Sequence, residues 1–252
     1  MTTITGKAVL VTGANRGIGR ALVEEALSRG AKRVYAGTRQ PLAHPDVRVT
    51  PLTLDVTSAA QIRAAAESIE LLDILINNAG IALYDDLTDP APLEQQLAVN
   101  LFGTYAVTQA FVPLLTRAKG AIVNILSAYA LASLPLIPAY SISKAAAFSL
   151  TQSLRTLLAD RGVRVYAVLT GPVDTDMTRG FDIPKASPES VARAIFDALD
   201  NGDEDIFPDS MSASLAGSWR GGAAKALERQ NAALTQAALT QAALAQAEPV
   251  PS

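Results

Sequence analysis

The fold is decided by Lys7-Ala8-Val9-Leu10-Val11-Thr12-Gly13-Ala14-Asn15-Arg16-Gly17-Ile18-Gly19, a short apolar run that leads into a glycine-rich turn. A short apolar run bounded by glycine is typical of a buried strand, and the apolar pattern of residues 17–29 is typical of a helix. A strand, a tight turn and a helix are therefore predicted in direct succession.

The same alternation continues along the chain. Further strand-like runs occupy residues 33–36, 47–54, 73–76, 121–126 and 163–169. Helical patterns occupy residues 59–70, 92–115 and 139–160, and the pattern at 92–115 is compatible with a kink or break near its ends. Strands that alternate with helices imply right-handed crossovers and a parallel sheet covered on both faces. We therefore predict an α/β fold, a doubly wound parallel sheet of the Rossmann type with about seven strands.

Local sequence signals predict which strands form the two edges of this sheet. Pro51 lacks the N–H donor that a central strand needs, so the third strand should lie at one edge, as it does in the order 3-2-1-4-5-6. Ser187 and Pro188 are typical of a helix start, and a seventh strand is predicted at residues 205–208. We expect that strand at the opposite edge.

Composition limits the classes of protein. The 252 residues are 49% hydrophobic and 18% charged, which favours one globular domain, predicted at residues 1–231. With no cysteine and a single histidine, His44, we expect no metal site. A net charge of −3 offers no basic field for nucleic acid, so no nucleic-acid partner is expected. We find no apolar run near the roughly 18 residues of a membrane span and no signal pattern, so a cytoplasmic protein without a membrane partner is predicted.

Residues 232–252 form a low-complexity Ala/Leu/Gln tail that repeats every five residues. Such a repeat rotates Leu234, Leu239 and Leu244 by roughly 140° each around a helix, so they form no single apolar stripe. The tail is predicted to be a frayed helix or disordered.

The glycine turn is predicted to bind a dinucleotide. Gly13 allows the tight turn, Gly17 lets the backbone approach a pyrophosphate, and Gly19 permits close packing of the helix, whose free amides face the anion. The alternative is an ordinary strand-to-helix turn. Strand and helix in the correct places favour the nucleotide.

The end of the second strand indicates whether the cofactor is NAD or NADP. It ends Ala36-Gly37-Thr38-Arg39, without the carboxylate that would bind the ribose hydroxyl of NAD. Arg39 suits a 2′-phosphate, and Arg16 in the turn should reach the same group, which predicts NADP(H). The alternative is that both arginines are solvated surface charges.

Polar and small residues follow the next strands. Asp55 could accept from the adenine amino group or cap the next helix, and Asn77-Asn78-Ala79-Gly80 could border the adenine ribose, tie adjacent strands, or form a turn. Besides the catalytic pair below, the predicted cofactor-binding residues are Gly13, Asn15, Arg16, Gly17, Ile18, Gly19, Thr38, Arg39, Asp55, Val56, Asn77, Ala79, Gly80, Gly171, Val173 and Thr175.

Tyr140 and Lys144 lie four residues apart on one predicted helix, so their side chains share a face. A nearby ammonium would lower the phenol pKa from about 10 and make tyrosine a general acid. Ser127, at the carboxyl end of the fifth strand, could bind the reacting oxygen. The alternatives are a packed tyrosine with an outward lysine, and a serine that caps a turn.

Together these residues resemble the short-chain dehydrogenases/reductases, in their compact branch, over residues 7–177. The glycine turn, the Asn-Asn-Ala-Gly stretch and a catalytic tetrad all match, the tetrad being Asn100, Ser127, Tyr140 and Lys144. Only the resemblance singles out Asn100, and it implies that the Asn100 carbonyl holds a water in a proton relay from Lys144. The chain departs from the family's Pro-Gly with Thr170-Gly171-Pro172, although Gly171, Val173 and Thr175 match.

The resemblance implies hydride transfer between a nicotinamide and a carbonyl or alcohol carbon. Tyr140 would transfer the proton, Ser127 would position the oxygen, Lys144 would also hold the nicotinamide ribose, and Val173 and Thr175 would hold the carboxamide. We predict an NADPH-dependent carbonyl reductase, with NADP-dependent alcohol oxidation or a non-catalytic dinucleotide-binding regulator as alternatives. Family members commonly form homodimers or homotetramers through the helices that bear Asn100 and Tyr140, so the same is expected here.

The predicted substrate pocket is mostly apolar and therefore fits a hydrophobic ketone or aldehyde. Residues 176–186 are short for a lid in this family, which predicts an open pocket. The candidate pocket residues are Leu83, Tyr129, Leu134, Ile137, Met177 and Phe181.

Overall fold

Seven parallel strands form one sheet in the order β3-β2-β1-β4-β5-β6-β7. The computed structural model of the protein describes residues 2–40 and 42–247. Pro51 lies in the edge strand β3 and β7 forms the other edge, so the predicted doubly wound fold and both predicted edges are confirmed. The strands are β1 Ala8–Thr12, β2 Arg33–Thr38, β3 Val49–Thr53, β4 Ile74–Asn77, β5 Ala121–Ile125, β6 Arg164–Val168 and β7 Asp205–Ile206.

Helices cover both faces of the sheet. Because side chains alternate along a strand, Val9 and Val11 of β1 join the core under α1 and α6, whereas Leu10 joins the core under α2, α4 and α5. The helices are α1 Gly17–Ser28, α2 Ala59–Ser68, α3 Ala91–Leu97, α4 Thr104–Ala118, α5 Pro138–Leu158, α6 Pro188–Asn201, α7 Ser210–Arg220 and α8 Ala223–Ala247. Ser187 caps α6 as predicted, accepting from the Ser190 amide at 3.1 Å.

The single helix predicted at residues 92–115 is interrupted in its middle. A π-helical segment, Ala98–Gly103, separates α3 from α4. Gly103 lies where this segment meets the end of β3, and a Cβ at that position would lie 2.8 Å from Cγ2 of Val56. Helix periodicity alone cannot report such a bulge, because one inserted residue leaves the apolar pattern on both sides intact.

One stretch passes a length and hydropathy test for a membrane span, contrary to our reading of the sequence. It is Ala91–Ala118, which is long and apolar enough to cross a membrane by length and composition alone. In the fold this stretch comprises α3, the π-helical segment and α4, and its fully buried Val107, Phe111 and Leu115 pack on the sheet. Its apolar character therefore follows from a core-facing helix.

A buried ionic cluster attaches the C-terminal helices to the sheet edge. Asp205 of β7 accepts from Arg155 of α5 at 2.7 Å and from Lys225 of α8 at 2.6 Å, and the Trp219 indole donates to it at 2.8 Å. Burial raises the pKa of Asp205, but the charge of Arg155 and the bonds from Lys225 and Trp219 outweigh burial and lower it overall. The ionised carboxylate therefore holds α7 and α8 in place.

The predicted tail continues α8 as far as Ala247, and residues 248–252 lie outside the described part of the chain. The division of the chain at residue 231 stays a prediction.

Candidate active site

The glycine turn is closed by the end of the neighbouring strand β4. Gly13 and Gly17 have φ of 66° and 51°, the left-handed region that favours glycine. A Cβ at Gly13 would lie 3.0 Å from Cα of Ala79, and one at Gly19 would overlap the carbonyl oxygen of Gly13. The backbone is thus left open above the N-terminus of α1, a cradle that fits a dinucleotide pyrophosphate.

Asn78 makes this closure, as the predicted tie between adjacent strands, although it was not among the predicted cofactor-binding residues. Its side-chain amide donates to the carbonyl oxygens of Thr12 at 2.8 Å and Gly13 at 3.2 Å. Asn77, predicted beside the cofactor, instead points into the core and donates to Asn124 at 2.9 Å and Thr108 at 3.0 Å. Strand alternation separates the two neighbours, so the Asn77 side chain ties strands together and Asn78 faces the turn.

The two arginines predicted to share a phosphate have different surroundings. Arg16 is 66% exposed and pairs with Asp176 at 2.9 Å, across a cleft of about 580 Å³ that it lines together with Arg20 and Arg179. Arg39 does not line this cleft. It lies exposed after β2, where its charge helps to lower the pKa of Asp55. In this structure Arg16 has Asp176 as its partner, so the convergence of Arg16 and Arg39 on one phosphate stays a prediction.

Asp55 does not cap the helix that follows it. Its carboxylate accepts from the amide and hydroxyl of Thr57, at 2.9 and 2.7 Å, and these bonds are the main reason that its pKa is lowered. Ser58 caps α2 instead, accepting from the Gln61 amide at 3.4 Å. Asp55 and the buried Val56 lie at the carboxyl end of β3, which leaves the predicted contact with adenine as a prediction.

Asn100 lies in the π-helical segment and clasps the chain that leaves β4. Its side-chain oxygen accepts from the Ile81 amide and its side-chain nitrogen donates to the Ile81 carbonyl, both at 2.9 Å. The same nitrogen donates to Ser143 of α5 at 2.9 Å. The Asn100 carbonyl accepts from the Thr104 hydroxyl at 3.0 Å, and the predicted water on this carbonyl stays a prediction.

Lys144 is held inside the protein by a backbone carbonyl. Its Nζ donates to the carbonyl oxygen of Ile125, at the end of β5, at 2.9 Å, and lies 5.7 Å from the centre of the Tyr140 ring. The alternative of an outward lysine is therefore wrong, since the side chain is buried. Burial disfavours the charged form and lowers the pKa of Lys144 to about 8.

Tyr140 is buried as well, and its pKa moves against expectation. Burial raises the pKa to about 12, a hydrogen bond with the Ser127 side chain lowers it, and the nearby Tyr129 raises it. The sequence predicted a lowered pKa from the neighbouring ammonium. Loss of solvation outweighs any such effect in this structure, so the phenol keeps its proton at neutral pH.

Ser127 caps a turn, one of the two roles that the sequence left open, and binding of the reacting oxygen stays a prediction. Its hydroxyl accepts from the Tyr129 amide at 3.1 Å and so caps the short 3-10 helix Ala128–Ala130. The same side chain is the hydrogen-bond partner that lowers the pKa of Tyr140. A strand end and a cap thus fix the serine beside the phenol.

The loop after β6 is anchored by a residue that the sequence did not indicate. Asp209 accepts from the Gly171 amide at 2.7 Å, and a Cβ at Gly171 would lie 2.5 Å from its carboxylate. Val173 pairs with Ala186 as an isolated bridge, which closes the loop between them. Thr175 begins a short 3-10 helix, Asp176–Thr178, and its methyl group lies against Gly17.

Aromatic rings join the two segments that border the predicted substrate pocket. Tyr84 stacks on Phe181 with ring centres 5.8 Å apart. Sequence reasoning included Phe181 and missed Tyr84, since adjacency to Leu83 was the only signal. Among the other candidate pocket residues, Ile137 is buried, Met177 is exposed, and the half-buried ones are Leu83, Tyr129 and Leu134.

The structure brings the predicted site residues to the carboxyl ends of β1 to β6, where a doubly wound sheet binds a dinucleotide. A glycine cradle at β1 and a buried tyrosine–lysine pair beside β5 together define a dinucleotide-dependent oxidoreductase.

Comparison with known proteins identifies the family. Residues 7–185 match the short chain dehydrogenase family. An uncharacterized oxidoreductase of Staphylococcus aureus (strain N315) is 35% identical, over 79% of this chain and 93% of its own length. A short chain dehydrogenase of Burkholderia cenocepacia, solved in complex with NADP, is 37% identical with a TM-score of 0.82, over 91% of this chain and 99% of that one. An aldohexose dehydrogenase of Thermoplasma acidophilum is 26% identical with a TM-score of 0.73, over 81% of this chain and 92% of that one. The chain belongs to the short-chain dehydrogenase family and is an oxidoreductase.

Burial of Lys144 predicts an unusual dependence of stability on pH. Its pKa is about 8 in the folded protein against a usual value of 10.5, so between about pH 8 and 10 the unfolded chain binds more protons than the folded one. Stability from this group therefore rises with pH over that window. Relative to Lys144→Met, the wild-type free energy of unfolding should rise by on the order of 2 kcal/mol, measured by urea denaturation. The exposed Lys32→Met variant is the control, and equal pH slopes for wild type and Lys144→Met would contradict the prediction.

Proposed function

We propose that the protein is an NADPH-dependent carbonyl reductase that transfers a hydride to a hydrophobic ketone or aldehyde. The observation that carries the proposal is the buried Tyr140 phenol, which has Ser127 as hydrogen-bond partner and Lys144 one helical turn behind it. A phenol with a pKa of about 12 is protonated at neutral pH, and a protonated acid is what carbonyl reduction requires.

In the proposed mechanism the bound nicotinamide supplies the hydride, and the residues of the chain handle the oxygen and its proton. The Ser127 hydroxyl positions the carbonyl oxygen, and Tyr140 donates its proton as charge develops there. Lys144, held against the Ile125 carbonyl, then stabilises the phenolate that Tyr140 becomes. Asn100 connects the π-helical segment to the Ile81 backbone and to α5 through hydrogen bonds of its side chain.

Several observations support NADP(H) as the cofactor. The Burkholderia relative binds NADP in its crystal structure. Arg39 follows β2 at the position where a ribose 2′-phosphate would lie, and no carboxylate ends that strand. Arg16 can contribute too, since an exposed ion pair such as Arg16–Asp176 is worth only about 0.2–1 kcal/mol, less than the roughly 1.5–3 kcal/mol of a charge-assisted bond.

The substrate class follows from buried and half-buried apolar residues predicted to line the pocket beside Tyr140. Leu83, Leu134 and Ile137 offer no charge that would bind a carboxylate, so an apolar carbonyl compound fits best. An NADPH-dependent reductase of this kind would act in the cytoplasm on a small molecule.

Exposed apolar side chains around α4 and α5 support self-association into a homodimer or homotetramer. Phe102, Tyr105 and Leu157 are 61%, 48% and 54% exposed, and an apolar patch formed by such side chains would mark an interface. Light scattering should give two or four times the chain mass. Phe102→Glu should lower that mass toward one chain, whereas Val47→Glu, at an exposed position just before β3, should not. A wild-type mass of one chain would contradict this proposal.

Removing the Tyr140 hydroxyl should stop the chemistry and spare the cofactor. With Tyr140→Phe, we expect kcat for carbonyl reduction to fall by roughly 10²–10⁴-fold, because the general acid is lost. The NADPH dissociation constant, followed by nicotinamide fluorescence, should stay within about twofold. Tyr35→Phe, in the middle of β2, is the matched control. Retained turnover in Tyr140→Phe would refute the mechanism.

Arg39 should determine the preference between the two cofactors. Arg39→Ala should weaken NADPH binding by roughly 10- to 150-fold, the loss of about 1.5–3 kcal/mol, and leave NADH binding unchanged. Arg33→Ala, at the exposed start of the same strand, is the control. Equal catalytic efficiency of the wild type with NADH and NADPH, measured on a panel of ketones and aldehydes, would overturn the NADP assignment.

A further inference from the structure

We propose that Asp85 is a positioning residue for proton transfer by Tyr140, because its carboxylate caps the first turn of α5 from a different segment of the chain. The inference rests on the proposed function of Tyr140 as the proton donor. Asp85 itself is expected to touch neither substrate nor cofactor.

The start of α5 lacks a cap of its own. Ile137 precedes the helix without a capping side chain, and Pro138, at the first helical position, has no N–H. Ala139 is therefore the first residue of the helix with an amide to satisfy. Its nitrogen lies 3.3 Å from each of the two Asp85 carboxylate oxygens. The carboxylate also lies at the positive end of the helix dipole, where an anion is favoured.

The segment that carries Asp85 is fixed at its other end by the catalytic machinery. Residues 81–85 form a strap that leaves β4, and the Ile81 amide and carbonyl bond the Asn100 side chain at 2.9 Å. Midway along the strap, the Leu83 amide donates to Gln96 of α3 at 3.1 Å. The strap thus connects the π-helical segment to the first turn of α5, and Asp85 makes the contact at the α5 end.

Neighbouring acidic residues make only local contacts. Asp86 accepts from the amide and hydroxyl of Thr88, and Asp89 accepts from the Ala91 amide at the start of α3. Among the carboxylates of residues 85–89, Asp85 makes the contact with α5. Asp86 is therefore a matched control, with the same chemistry one residue away and a different target.

Tyr140 follows Ala139 directly, so the cap acts on the turn that aims the phenol. The phenol must lie beside Ser127 and within reach of a carbonyl oxygen, and a misplacement of about 1 Å can cost on the order of 10²-fold in rate. Loss of the cap would let the first turn of α5 fray and spread the phenol over several positions. A slower chemical step with unchanged cofactor binding is the expected signature.

The experiment compares Asp85→Ala, Asp85→Asn and Asp86→Ala in the full-length protein. Hydrogen exchange with mass spectrometry measures the amides of residues 138–144 and needs no substrate. Exchange should be roughly tenfold faster or more in Asp85→Ala, and close to wild type in Asp86→Ala and in Asp85→Asn, since asparagine caps about as well as aspartate. On the carbonyl compound that the wild type reduces best, kcat should fall roughly tenfold or more in Asp85→Ala, with KM for NADPH unchanged and kcat recovered in Asp85→Asn.

The hydrogen-exchange measurement and the kinetic measurement can each overturn the proposal. Unchanged exchange in Asp85→Ala rejects the cap, and faster exchange with unchanged kcat rejects the positioning role. An Asp85→Asn variant as slow as Asp85→Ala also rejects it, and this variant preserves the test if the alanine variant fails to fold. A wild type that reduces no carbonyl compound would refute the proposed function, and the exchange result would still decide whether Asp85 caps α5.

Discussion

The structure depends on how closely the ends of β1 and β4 approach each other. These strands are neighbours at the point where the strand order reverses, and Asn78 bridges the end of one to the turn after the other. Only glycine fits at Gly13 and Gly19, because a Cβ there would collide with neighbouring backbone. At Gly13 that backbone belongs to Ala79, and at Gly19 it is the carbonyl group of Gly13. This close contact creates the open N-terminus of α1 and directs the chain after β4 toward Asn100.

Burial sets the chemistry at the other end of the site. Lys144 and Tyr140 lie together inside the protein, and loss of solvation moves both toward their neutral forms, lysine with a lowered pKa and tyrosine with a raised one. A neutral phenol beside Ser127 carries the proton that a carbonyl oxygen would accept. The charge that would form on Tyr140 during proton transfer has the Lys144 ammonium on the same helix, 5.7 Å from the centre of the ring.

Much of the fold followed from patterns that are local in sequence. Alternating apolar periods predicted the sheet, and Pro51 marked its edge because a missing N–H is a property of one residue. The π-helical segment Ala98–Gly103 was not predicted, since a bulge changes backbone hydrogen bonds without changing hydrophobic spacing. The asparagines Asn77 and Asn78 tie adjacent strands, one of the roles that the sequence offered, but which of them faces the turn could not be predicted, because sequence does not state which face of a strand end meets the turn.

The sequence by itself determined the doubly wound fold and its glycine cradle. It also determined that Ser127, Tyr140 and Lys144 lie near the carboxyl end of the sheet, because helical spacing and strand ends are local geometry. The tertiary structure alone decided the direction of the Tyr140 pKa and the partner of Arg16, since both depend on burial and on groups far away in the chain. It also decided that Asp85 reaches α5. A through-space contact between distant segments leaves no periodicity or spacing in the sequence from which it could be predicted.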